Sequence, residues 1–117
     1  MNFVPHPKWQ DQLARLGNQE WSVARLIKLS QNFPVMEIPL EHMNIYHSFG
    51  TMTMREMIVH IKAINAADLK YPIILDEDGD IMDGRHRLMK AIITGKSTIK
   101  AVRFQTNPKP DKIYSEN

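Results

Sequence analysis

The segment from Tyr71 to Ile93 restricts the fold most, because its apolar period changes from strand to helix within a few residues. Tyr71-Pro72-Ile73-Ile74-Leu75 is a short apolar strand, Asp76-Glu77-Asp78-Gly79-Asp80 a turn, and Ile81-Met82 the returning strand. Asp83-Gly84-Arg85-His86-Arg87 follows at once. It opens the helical pattern Leu88-Met89-Lys90-Ala91-Ile92-Ile93, with Leu88, Ala91 and Ile92 on the inward face and Gly95 as terminator. A hairpin that feeds a helix through a glycine requires sheet and helix to share one core. The expected class is therefore α/β (α+β).

The rest of the chain is read around that unit. Trp9, Leu13 and Leu16 stand at i, i+4 and i+7, which predicts a short helix over about 8–16. Gly17-Asn18 stops it, and Asn18 caps a second helix from Gln19 to about Gln31, with Val23, Leu26 and Ile27 on one face. Val35-Met36-Glu37-Ile38 is a strand closed by Pro39. The polar stretch Leu40 to Met52 has no clear period. Thr53-Met54-Arg55-Glu56 has the form of a capping box, and Met54, Met57, Ile58, Ile61 and Ile64 continue as a buried stripe to about Ala66. Ile99 to Phe104 is a last strand. Two prolines and several charges after Asn107 predict a mobile tail. The expected organisation is an N-terminal helical extension (1–34), an α/β domain (35–106) and the tail (107–117).

A chain of 117 residues with 43% hydrophobic content suits one small core. The lack of cysteine excludes disulfides, thiolate metal sites and cysteine nucleophiles. No apolar run reaches membrane-spanning length, and Met1 to His6 lacks the regions of a secretory leader, so a cytoplasmic location is expected. The net charge of +2 is mild. Lys96, Lys100, Arg103, Lys109 and Lys112 read as a solvated basic edge.

The loop from Asp83 to Arg87 carries the chemistry. A glycine turn, two guanidinium groups and an imidazole at a helix N-terminus suit a phosphate, because unpaired backbone N–H groups and the positive helix end favour an anion. Arginine adds planar, multi-donor contacts. His42 and His60 read as surface or structural histidines. Metal held by imidazole is not expected. Trp9 and Trp21 are read as packing residues.

In the order of its elements from Val35 to Phe104, the chain resembles the ParB/sulfiredoxin-like superfamily. Its members bind nucleotide phosphates at the corresponding loop, which reads Gly-Cys-His-Arg in sulfiredoxins and Gly-Glu-Arg-Arg in partition proteins. In the free-serine kinase group it reads Asp-Gly-His-His-Arg, to which the present loop is most similar. The resemblance implies a mixed sheet flanked by helices, phosphate contacts from His86 and Arg87, and close backbone approach at Gly84. It also implies that Asp83 shapes the turn or meets a metal ion, while Arg85 stands where the kinase pattern has histidine. The sulfiredoxin cysteine is absent, which excludes sulfinic acid repair. The residues after Phe104 hold no helix-turn-helix domain of the kind that follows in partition proteins.

Two classes of function stay open at this point. One is a phosphotransferase or NTPase that uses ATP or another nucleotide with Mg²⁺, in which Gly84, Arg85, His86 and Arg87 bind phosphates. Asp83 and His86 are then catalytic candidates, Asp83 is the candidate metal ligand, and Glu41, then His47, is the candidate base. Asp76 to Asp80 reads as a solvated turn beside it. The other is a DNA-associated module that does no chemistry, or a nuclease, with Arg85 and Arg87 on DNA phosphates. A protein partner is expected at the N-terminal helices, and no membrane.

Overall fold

Strands buried on both faces carry apolar side chains without alternation, and Ile73, Ile74 and Leu75 are all buried. The computed structural model describes residues 11–45 and 50–115. It shows an α+β fold. The central sheet runs β3 (Met36–Pro39), β6 (Thr98–Arg103), β4 (Ile73–Leu75), β5 (Ile81–Asp83). Here β4 lies parallel to β6, and the other two pairings are antiparallel. The parallel pair is joined through β5 and helix α3 (Arg85–Ile93). Successive side chains point to opposite faces. Ile73, Leu75, Ile99 and Ala101 therefore pack with Leu88 and Ala91 of α3 on one side. Ile74, Met82, Val102 and Phe104 form the second core on the other.

That second core corrects the expected N-terminal helices. Among the described residues, Leu13–Leu16 is strand β1 and Gln19–Ser22 strand β2, paired as a hairpin, and the α-helix α1 begins only at Val23 and runs to Ser30. Residues 1–10, and with them Lys8 and Trp9, lie outside the described residues. Gly17-Asn18 is the hairpin turn rather than a helix stop and cap, with Gly17 at φ +60° in the first loop position. The physical reason is burial. Ala14 and Trp21 face each other across the hairpin and both enter the core with Val23, Leu26 and Phe104, whereas Leu13 faces solvent. The true cap of α1 is Ser22, whose Oγ accepts from the Arg25 amide.

The tail is built into the fold. Lys112–Ile113 forms β7 against β2, giving the sheet β1-β2-β7. The buried Trp21 needs an acceptor, and its Nε1–H donates to the Pro108 carbonyl at 2.8 Å. Asp111 Oδ2 accepts from the Ser22 amide at 2.8 Å and places a carboxylate at the start of α1, where the helix dipole favours it. Tyr114 donates to Glu20 and lies under the Arg15 guanidinium. The expectation of a mobile 107–117 segment is thus corrected for residues 107–115.

Helix α2 (Met54–Ala66) begins at the expected capping residue, with Thr53 Oγ1 accepting from the Glu56 amide at 3.1 Å. Its apolar stripe is not buried throughout. Ile64 is 9% exposed, Ile61 48% and Met54 80%, so the stripe leaves the core towards the helix N-terminus. Periodicity identifies a face but not what covers it. The C-terminal end is held by Lys90 of α3, whose Nζ donates to the carbonyls of Asn65 and Ala67. Among the described residues no helix is long and apolar enough to cross a membrane.

Candidate functional site

The joint between β5 and α3 is set by Gly84. Its φ of +113° lies in the left-handed region, and a Cβ there would stand 2.4 Å from Ile73 Cγ2 and 2.8 Å from Ile73 Cβ. Glycine is therefore demanded by backbone shape and by the neighbouring strand together. Beyond it, Leu88 is the first amide to reach a carbonyl of the helix, that of Gly84 at 2.9 Å. The amides of Arg85, His86 and Arg87 precede it. α1 and α2 are capped by Ser22 and Thr53, whereas α3 has no side-chain cap and no acidic residue in its first turn. At the far end Gly95 and Lys96 donate to Ile92 and Ala91, closing the helix as expected.

The two arginines of the loop are not equivalent. Arg87 Nη2 binds Asp83 Oδ2 at 2.7 Å, and Nη1 donates to the carbonyls of Pro72 (2.8 Å) and Tyr71 (3.3 Å). Their side chains are only 19% and 14% exposed, so this pair is a partly buried brace between β5, α3 and the entry to β4. Arg87 was expected to face a phosphate, and Asp83 to shape the turn or meet a metal ion. In the structure each has the other as a partner, which fits the turn-shaping role of Asp83. Among the described residues no hydrogen bond or ion pair holds the Arg85 guanidinium, which leaves it as the loop's available cation.

His86 is joined to a residue the sequence reading set aside. His86 Nε2 lies 2.8 Å from His60 Nδ1 on α2. The contact spans 26 positions and two elements, so no local spacing announces it. Glu41 sits in a 3-10 turn, Leu40–His42, with an exposed carboxylate 3.9 Å from His42 Nε2. Among the described residues no bond ties Glu41 to the loop. His47 lies outside the described residues. Asp76 is not solvated: it is buried, and its Oδ1 accepts from the amides of Asp78 (2.9 Å) and Asp80 (2.8 Å), which shapes the hairpin turn. On the proposed basic edge, Lys100 stands opposite Glu37 across β3–β6, and Arg103 donates to the Glu77 carbonyl.

A magnesium ion asks for several oxygen ligands in octahedral array. Asp83 is the one carboxylate of the loop and is braced by Arg87. Among the described residues no three His, Cys, Asp or Glu side chains come together as a metal site. Mg²⁺ is commonly held by one or two carboxylates together with water and the phosphates of a nucleotide, and Asp83 is the carboxylate of the loop that would meet it. No protein family, characterised protein or solved structure matches the chain in comparison with known proteins.

Proposed function

We propose that the chain binds a phosphorylated ligand, a nucleotide, through the first turn of α3. The observation that carries this reading is the uncapped start of that helix, with Arg85 and His86 beside its leading amides and no carboxylate in the turn. Backbone N–H groups, the positive helix end and a guanidinium all favour the same kind of group, a phosphate. The resemblance of the Asp83–Arg87 loop to nucleotide-binding loops supports the same assignment. Mg²⁺, where it takes part, arrives on the phosphates of the nucleotide. The reading puts binding first and leaves phosphoryl transfer as a further step, in the cytoplasm that a cysteine-free composition suits.

Calorimetric titration with ATP, ADP, CTP and GTP, with and without Mg²⁺, tests the reading. Arg85→Ala should weaken the best of them by about 1.5–3 kcal/mol without lowering the melting temperature. Equal affinity in wild type and variant would refute the role of Arg85. Duplex DNA that binds tightly near physiological salt and displaces the nucleotide would instead favour the DNA-associated reading.

A further inference from the structure

Residues 105–115 are held to the fold without a core residue of their own. None of them is buried, and neither hydrophobic core includes one. Asn107 and Glu77 of the hairpin turn exchange hydrogen bonds, which leaves 108–115 as an arm laid on β2 and the first turn of α1. The hold on that arm is polar. Trp21 Nε1–H donates to the Pro108 carbonyl at 2.8 Å, the Ser22 amide to Asp111 Oδ2 at 2.8 Å, and Arg25 Nη1 to the Lys109 carbonyl. The Asp111 amide donates to the Glu20 carbonyl, and the Tyr114 amide to that of Asn18. The Tyr114 ring lies between the Arg15 and Lys112 cations, 3.9 and 4.4 Å from its centroid. Pro108, Asp111 and Tyr114, three residues apart, are the anchors. The receiving side, by contrast, is core: Trp21 is wholly buried and clusters with Ala14, Val23 and Phe104.

We propose that β2 and the start of α1 form a peptide-docking surface, filled by the chain's own residues 108–115 and able to take the same residues from a second copy, so that two copies exchange arms. Strand addition along a sheet edge, with side-chain anchors at intervals, is how folded domains take up extended peptides. β7 pairs with β2 alone, over two residues, and the arm adds no buried side chain, so it opens at less cost than a core element. Opening removes the acceptors of the Trp21 indole and the Ser22 amide. The occupant that restores all of these contacts is the arm of another copy, because its anchors and their spacing already match. Pro108 and Pro110 fix φ, so the arm stays extended when free and loses little freedom on docking again. The exchanged pair makes the same contacts as the closed chain, and protein concentration decides between them.

The chain has no cysteine, so single cysteines placed in full-length protein report the exchange. Gln19 and Ile113 stand opposite each other, next to the Tyr114–Asn18 hydrogen bond, which makes them a non-hydrogen-bonded pair with Cα atoms about 4.5 Å apart. Gln19→Cys and Ile113→Cys chains are mixed at about 0.1–1 mM, the range of effective concentration of a short tether, and oxidised gently. The mixed disulfide should exceed the sum of the two same-variant disulfides, the share that random collision gives. Asp111→Ala then acts in opposite directions. Added to the Gln19→Cys chain, it loosens that chain's own arm and should raise the yield about three- to tenfold. Added to the Ile113→Cys chain, it weakens the incoming arm and should lower the yield by a similar factor. The double variant Gln19→Cys/Ile113→Cys, dilute, should close within one chain. A mixed disulfide at the collision share beside a double variant that closes overturns the exchange. So do shifts of the same sign, or none, from the two placements of Asp111→Ala. A double variant that does not close overturns the β2–β7 register and the proposal with it.

Discussion

Gly84→Ala is the substitution whose cost the structure defines best. Two penalties add. A residue with a Cβ held at a left-handed φ loses about 1–2 kcal/mol. The new methyl would also lie 2.4 Å from Ile73 Cγ2 and 3.2 Å from Ile73 Cα, a side chain and a backbone that belong to the buried strand β4. Forcing a methyl into a packed core costs about 1–3 kcal/mol. Against these stands the lower entropy of the unfolded alanine chain, about 0.4–1 kcal/mol. The net loss is about 2–4 kcal/mol. In urea, with a slope of about 1–3 kcal/mol per molar, the midpoint should fall by about 1–2 M. Gly95→Ala is the control, because Gly95 has a similar left-handed φ of +76° and nothing within 4 Å of its added Cβ. It should lose only about 1 kcal/mol. The excess of Gly84→Ala over Gly95→Ala measures the contact with Ile73, and in an Ile73→Ala background that excess should shrink by about 1 kcal/mol. If the two glycine variants unfold at the same midpoint, the close approach of the loop to β4 is wrong.

Other substitutions separate the structural residues from those that face solvent. Arg87→Ala strands Asp83 and two carbonyls in a partly buried place and should cost about 2–4 kcal/mol in thermal unfolding, with Arg87→Lys recovering little because an ammonium cannot reproduce the fork. Asp76→Ala frees the amides of Asp78 and Asp80 and should cost about 2–3 kcal/mol, whereas Asp76→Asn keeps Oδ1 and should lose about half of that; equal urea midpoints for the two would refute the turn assignment. Ile61→Ala should cost less than about 1 kcal/mol and Ile64→Ala about 2–4 kcal/mol, and the reverse order would mean the exposed face of α2 is misplaced.

What was legible in the sequence was local in its causes. The capping box at Thr53, the acidic turn at Asp76 to Asp80, the passage from strand to helix through Gly84 and the stop at Gly95 each depend on residues within one turn of each other. What was not legible depends on partners far along the chain. Trp21 finds its acceptor 87 residues away at Pro108, and Tyr114 finds Glu20 at a separation of 94, so the tail looked unattached. The Gly17-Asn18 pair suits a helix end and a hairpin turn equally, and only the burial of Ala14 against Trp21 decides between them. The site divides in the same way. The glycine turn and the basic residues of the candidate loop were visible, but neither the Arg87–Asp83 brace nor the His60–His86 contact was.

The different work of Arg85 and Arg87 follows from helix geometry. Two residues apart on a helix of 3.6 residues per turn, they project about 200° from each other. One side chain alone can therefore turn back towards the Tyr71–Pro72 carbonyls and Asp83, and that one is Arg87. Asp83 lies four positions before it, the separation at which side chains on a helix meet, so the pair closes across the Gly84 joint. Arg85 is then directed away from the brace, with His86 between the two directions and held by His60. On the proposed reading, a phosphate at the N-terminal end of α3 would meet amide donors along the axis and the Arg85 guanidinium on the side away from the brace. An exchange of roles is testable in a single chain: Arg85→Ala should reduce affinity and spare stability, whereas Arg87→Ala should reduce stability first. If Arg87→Ala lowers nucleotide affinity while its melting temperature stays at the wild-type value, the division fails, and Arg87 leaves its carbonyls to meet the ligand.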